Sequence, residues 1–148
     1  MPQSLAKVYL HIVFGTKNRQ NFILESIRVE LQSYIVGILS KTGSYTTELY
    51  SNPDHIHILC TLPRTITMAN LVATIKVSSS KWLKSNGLSQ FDWQDGYAIF
   101  SVSASKVDNI KQYIQNQVIH HGTVSFKDEL RDFFKQYAVD YDERYVWD

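Results

Sequence analysis

A single cysteine, Cys60, stands in the 148 residues, so no disulfide can close within the chain. A reducing, cytoplasmic setting is the expectation. The three prolines and six glycines are too few for a fibrous, linker-like or proline-rich chain. No apolar run approaches the roughly 18 residues that a membrane-crossing helix needs, so no membrane association is expected. The opening MPQSLAKVYL lacks a basic stretch followed by an apolar one, and no secretory leader is expected. Repeats and low-complexity segments are missing as well. Formal net charge is only +1, so no overall basic signature announces a nucleic-acid binder.

What is present is an ordinary globular balance, 44% hydrophobic and 20% charged. One domain spanning residues 1–148 is expected, with 139–148 as an acidic, aromatic extension. The charge is unevenly placed. Residues 1–127 hold twelve Lys/Arg against seven Asp/Glu, whereas residues 128–148 hold three against seven. A basic body with an acidic end suits a phosphate-binding surface, and equally a plain solvated one.

Hydrophobic periodicity divides the chain. The β-branched and aromatic run 7–16 predicts a strand ending near Gly15. Ile27, Leu31, Tyr34, Ile35, Ile38 and Leu39 recur at helical spacing over 25–41, closed by Thr42-Gly43. Segments 44–51 and 55–62 predict two strands joined at Pro53-Asp54 as a hairpin. Thr67 can cap a helix to about Ser85, with Met68, Leu71, Ile75 and Leu83 facing inward. A fourth strand follows over 98–103. A helix over 106–121, with an apolar stripe of Val107, Ile110, Ile114 and Val118, and a last helix near 125–138 complete the chain. The order β-α-β-β-α-β plus two C-terminal helices is an α+β, ferredoxin-like split βαβ plan with an antiparallel sheet. In that plan both crossover helices cover one face and leave the other free.

On the third strand, alternation sends Ile56 and Ile58 to the core and His55 and His57 together to the other face. Two imidazoles on one face can chelate a divalent metal, but a His-x-His spacing alone is common and needs partners. Tyr113 and Gln117, four residues apart, share one flank of the 106–121 helix, an arrangement that is ordinarily a surface pair. His11, on the strand face of Tyr9 and Val13, is placed to approach the site, with a structural role favoured. His120 and His121, at a helix C-terminus, suit capping. Trp82 and Trp93 are read as core residues before base-stacking ones.

Several motifs in one order resemble the single-tyrosine HUH transposases of small insertion sequences, a group that includes the REP-associated tyrosine transposases. They are HIVFGTKNR over 11–19, DHIH over 54–57, Ile75-Lys76, SSKWL over 79–83 and WQDGY over 93–97. FSVS over 100–103, YIQNQ over 113–117 and DERYVW over 142–147 complete the set. The resemblance implies a transposase that cleaves and rejoins single-stranded DNA through a covalent 5′-phosphotyrosine at Tyr113. It implies a divalent ion held by His55, His57 and Gln117. Two histidines favour manganese or zinc by ligand preference, while the resemblance implies Mg2+ or Mn2+. Hairpin-bearing single strands are the expected DNA partner, with Lys17, Arg19, Lys76, Lys81 and Lys84 as candidate contacts. A homodimer with shared active sites is also expected, because the short link after the fourth strand limits how far helix 106–121 reaches over its own sheet. The competing readings are a non-catalytic single-strand-binding module on the same fold and a domesticated HUH endonuclease that processes chromosomal repeats.

Overall fold

The computed structural model describes residues 2–148. Its elements are β1 (Tyr9–Gly15), α1 (Glu25–Thr42), β2 (Thr46–Ser51), β3 (His55–Thr61), α2 (Met68–Ser85), β4 (Ala98–Val102), α3 (Val107–Gln115), α4 (Gln117–His120) and α5 (Phe126–Gln136). The four strands form one antiparallel sheet in the order β2-β3-β1-β4. This is the expected α+β plan.

Period-two alternation sorts the sheet into two apolar faces. Leu10, Ile12 and Phe14 of β1 and Ile56, Ile58 and Cys60 of β3 meet Leu31, Ile35 and Leu39 of α1 and Leu71, Val72, Ile75 and Leu83 of α2. Thr67 caps α2, its side-chain oxygen accepting from Asn70 N at 3.1 Å. Gly43, at φ 88°, ends α1 in the left-handed conformation that glycine adopts without strain. Met68, expected inward, is exposed in the first turn of α2.

The second face is not left free. Val13, Ala98 and Phe100 pack under Phe126, Leu130, Phe133 and Phe134 of α5 and under Trp147, while Leu59 and Val102 pack under Ile114 of α3. The cause is legible in the strands: beside the histidines, the residues alternating with the first core include Val13, Leu59, Ala98, Phe100 and Val102, and apolar area left in water costs about 25 cal/mol per Å². The single helix expected over 106–121 is interrupted. Asn116 (φ −94°, ψ 17°) separates α3 from α4, turning Gln117 inward to full burial. Val118, expected in the apolar stripe, is thereby left exposed.

The last residues clasp the body. Asp148 O accepts from Gly96 N at 2.9 Å and from Gln94 Nε2 at 3.2 Å, and Arg19 donates to Trp147 O at 3.1 Å. Trp147 donates to Glu143, which is paired with Arg131 of α5 at 2.8 and 3.1 Å. No helix among the described residues is long and apolar enough to cross a membrane.

Candidate functional site

β3 delivers His55 and His57 to the face covered by α3–α5, and both are almost completely buried there. The turn before β3 braces them: Asn52 N donates to His55 O at 2.8 Å, and His55 Nδ1 lies 2.6 Å from Asp54 Oδ1. His57 Nδ1 lies 2.8 Å from His11 Nε2. The β1–β3 register explains that contact, since His11 sits one alternation along from Val13, the partner of His57. His11 is therefore a neighbour of the pair, the less favoured of the two roles expected for it.

Glu129 of α5 holds the group together. Its Oε1 lies 2.9 Å from His57 Nε2, 3.2 Å from His121 Nε2 and 3.5 Å from His55 Nε2. Its Oε2 accepts from the Tyr113 hydroxyl and from Gln117 Nε2 at 3.2 Å, and lies 3.1 Å from His120 Nε2. Gln117 Oε1 accepts from Asn52 Nδ2 at 3.2 Å. His55, His57, His121 and Glu129 place their donor atoms within 4.8 Å of one another, which suits a metal ion. His120 and His121, expected to cap a helix, instead point into this site. Tyr113 is part-buried at the inner end of a cleft lined by Ile110, His120, Phe133 and Gln136.

Burial dominates the electrostatics, and the hydrogen bonds decide its sign at each group. Burial lowers His57 to about 4 despite the bond to Glu129. Burial and then His57 hold His11 well below the usual imidazole range. At His55 burial acts downward, but the bonds to Asp54 and Glu129 outweigh it and the value is raised. At Glu129 burial acts upward, but the bonds from His121, His55 and His57 outweigh it and hold the carboxyl far below its usual range. Tyr113 is pushed well above an ordinary phenol by burial and then by the charge on Glu129. The site is thus a buried carboxylate ringed by imidazoles, with a protonated phenol on its edge.

The structure brings Tyr113, His55, His57 and Gln117 together within one chain. The short link after β4 does not keep α3 from its own sheet, which removes the steric reason for a shared site. Of the candidate DNA contacts, three are engaged internally. Lys17 pairs with Asp95 at 3.6 Å and Arg19 binds the Trp147 carbonyl. Lys76 Nζ donates to the carbonyls of Gln94, Asp95 and Gly96 at 2.7, 3.0 and 2.7 Å and lies over the Phe14 ring. Lys81 and Lys84 are exposed beside a depression floored by Trp93. Trp93 is a core residue, donating to Ser79 Oγ at 3.0 Å, and Trp82 stacks on Tyr34. Glu129 escaped the sequence reading, although a signal existed: it lies three residues after Phe126 and four before Phe133, a carboxylate within an apolar helical face.

The family model described as "Transposase IS200 like" matches residues 4–117. A candidate transposase from Deinococcus radiodurans R1 has a similar fold, at TM-score 0.64 and 22% identity, with 79% of this chain and 98% of that one covered. A REP-associated tyrosine transposase bound to a REP hairpin is similar at TM-score 0.63 and 18% identity, with 84% of this chain and 74% of that one covered. No curated protein matches the chain.

Proposed function

The chain belongs to the IS200-like transposases, and from that premise we propose that it cuts and rejoins single-stranded DNA with Tyr113 as nucleophile. The observation that carries this reading is the convergence of Tyr113, His55, His57 and Gln117, from three separate elements, on one buried carboxylate.

In the proposed reaction Tyr113 Oη attacks the scissile phosphorus, the bond to the 3′-oxygen breaks, and the 5′-phosphate stays on the tyrosine. The 3′-hydroxyl of the same or another strand reverses the step, with the phenolate leaving. One phosphate ester replaces another in each direction, so the exchange needs no external energy source, and positive charge beside Glu129 would oppose the shift that now holds Tyr113 above an ordinary phenol. The phenolic proton has two acceptors in reach, the Glu129 carboxylate and His120 Nε2 at 3.1 Å. His55, His57 and Gln117 are the proposed holders of Mg2+ or Mn2+, and an imidazole-rich donor set suits Mn2+ better. A divalent ion there supplies positive charge to the non-bridging phosphate oxygens. Gln117 would first have to turn its amide, because its oxygen now faces Asn52.

Hairpin-bearing single strands are the proposed substrate, supported by the solved relative that carries a REP hairpin. Tyr113→Phe removes only the phenolic oxygen. It is expected to keep fold and DNA binding and to give no covalent protein–DNA adduct on a denaturing gel. An adduct at the normal yield would remove Tyr113 from this role.

The homodimer stays a second reading, in which α3 is exchanged between chains. Mixing His57→Ala with Tyr113→Phe subunits separates the two. A shared site restores activity in the mixed dimer, because one of its two sites is intact. A site contained in one chain leaves every site defective.

A further inference from the structure

We propose that His121 and Glu129 complete the metal site, so that the ion is held by His55, His57, His121 and Glu129 and not by the β3 histidines and Gln117 alone. This rests on the reading of a divalent-ion site given above. Both added residues lie beyond the segment 4–117 that the family model matches.

His55 Nδ1 faces the Asp54 carboxylate at 2.6 Å, and His121 Nδ1 faces the Val124 carbonyl at 2.7 Å. Both partners are acceptors only, so both Nδ1 atoms are donors, and Nε2 is the nitrogen each ring has left to offer a ligand. Asn52 Nδ2, which can only donate, lies 3.1 Å from His55 Nε2 and agrees with that assignment. The two Nε2 atoms then meet at 3.0 Å and both face Glu129 Oε1, at 3.5 and 3.2 Å. His57 joins them, with Nε2 at 2.9 Å from the same oxygen and Nδ1 directed at His11 Nε2. Three ring nitrogens and a carboxylate oxygen gathered in one buried place can be served by protons on the rings or by one cation that all four ligate. A proton on one ring nitrogen serves only one acceptor at a time, whereas a metal ion serves all four.

The dimensions agree. Donors about 2.1 Å from one ion stand roughly 3.0 Å apart in an octahedron and roughly 3.4 Å apart in a tetrahedron. Four of the six separations among these donor atoms span 2.9–3.5 Å, and all six lie within 4.8 Å. Each histidine also has its far nitrogen fixed by a second group, as metal-bound imidazoles regularly do. Glu129 adds one negative charge to an otherwise neutral donor set. That charge strengthens binding and leaves the ion less than its full +2 to act on phosphate.

The competing role for Glu129 is a stand-in, a carboxylate that occupies the ion's place and must withdraw before the ion enters. The two roles predict opposite signs. Mn2+ is titrated into the full chain and its free-ion electron paramagnetic resonance signal is followed. The wild type should bind one Mn2+, and His57→Ala should weaken binding strongly. Glu129→Gln and His121→Asn should each weaken it by about tenfold or more, since even groups behind the ligands cost 10–100-fold. If His57→Ala weakens binding while both other variants bind as tightly as wild type or tighter, this proposal falls and the ion-dependent reading stands. If the wild type binds no Mn2+, the ion-dependent reading falls with it. Circular dichroism reports whether each variant is folded. Should Glu129→Gln fail to fold, His121→Asn at the less buried ligand decides alone by the same criterion.

Discussion

His57 has two partners and no contact with solvent, which sets both the cost of removing it and its response to acid. An outward histidine on a free face would be lost cheaply. Here His57→Ala takes one partner from Glu129, leaves His11 Nε2 unpaired and opens a cavity in the interior, and we expect a loss of about 2–3 kcal/mol in urea unfolding. In the unfolded chain imidazole binds its proton near 6.5, whereas native His57 resists until about 4. Between those values the unfolded state holds more protons, so stability falls as pH falls, by on the order of 3 kcal/mol for this residue. His11 is lowered too and acts in the same direction. Glu129, held far below its usual range, keeps its contribution above pH 4.5 and loses it below. His55 is raised, so its contribution is complete below 6.5 and fades at higher pH. The urea midpoint of metal-free protein should therefore drop clearly between pH 6.5 and pH 4.5. An unchanged midpoint would contradict the neutral, buried state of His57.

At the scale of elements, α5 closes the second face, and Phe133 is its central contact. Its ring stacks on Phe100 at 5.1 Å and meets His11 and Tyr113 edge-on at 5.2 and 5.6 Å. Phe133→Ala should cost about 3 kcal/mol by denaturant unfolding. It should also loosen Tyr113, which a rise in hydrogen exchange along α3 would report; unchanged exchange there would argue against this coupling. The strands and α1, α2 and α5 were legible because a two-residue or helical apolar period persists across each. The break at Asn116 was not. Asparagine disfavours a helix interior by only a few tenths of a kcal/mol, and here burial of Gln117 tips the balance. The β3 histidines were visible as a pair, since their spacing is local. The pairing of His121 and Glu129 with them depends on how α4 and α5 fold back, and no short-range pattern encodes that.

Over the whole molecule, charge is spread so thinly that electrostatics cannot hold DNA by itself. With Lys17, Arg19 and Lys76 bound to the protein's own groups, Lys81 and Lys84 are the candidate phosphate contacts left exposed. Affinity for a single-stranded hairpin should fall with salt at a log–log slope no steeper than about −3, corresponding to a few phosphates. Fully paired duplex of the same sequence should be cut poorly, because unpaired bases and shape must supply the discrimination. A steep slope, or equal cutting of duplex, would require a basic surface that these side chains do not form.

The clasp of Asp148 on Gly96 and Gln94 also sets a timetable for biosynthesis. The sheet and its first core can assemble once β4 has been made, yet the cover of the second face waits for α5 and for residues 143–148 that pin it. At roughly 5–20 residues per second, the stretch from His55 to Asp148 takes on the order of 5–20 s to translate. During that interval Val13, Leu59 and the paired histidines are exposed on a nascent chain, a period in which chaperones and stray metal ions reach them first. The site therefore matures after the sheet and its first core, and a ribosome stalled before α5 would display it uncovered.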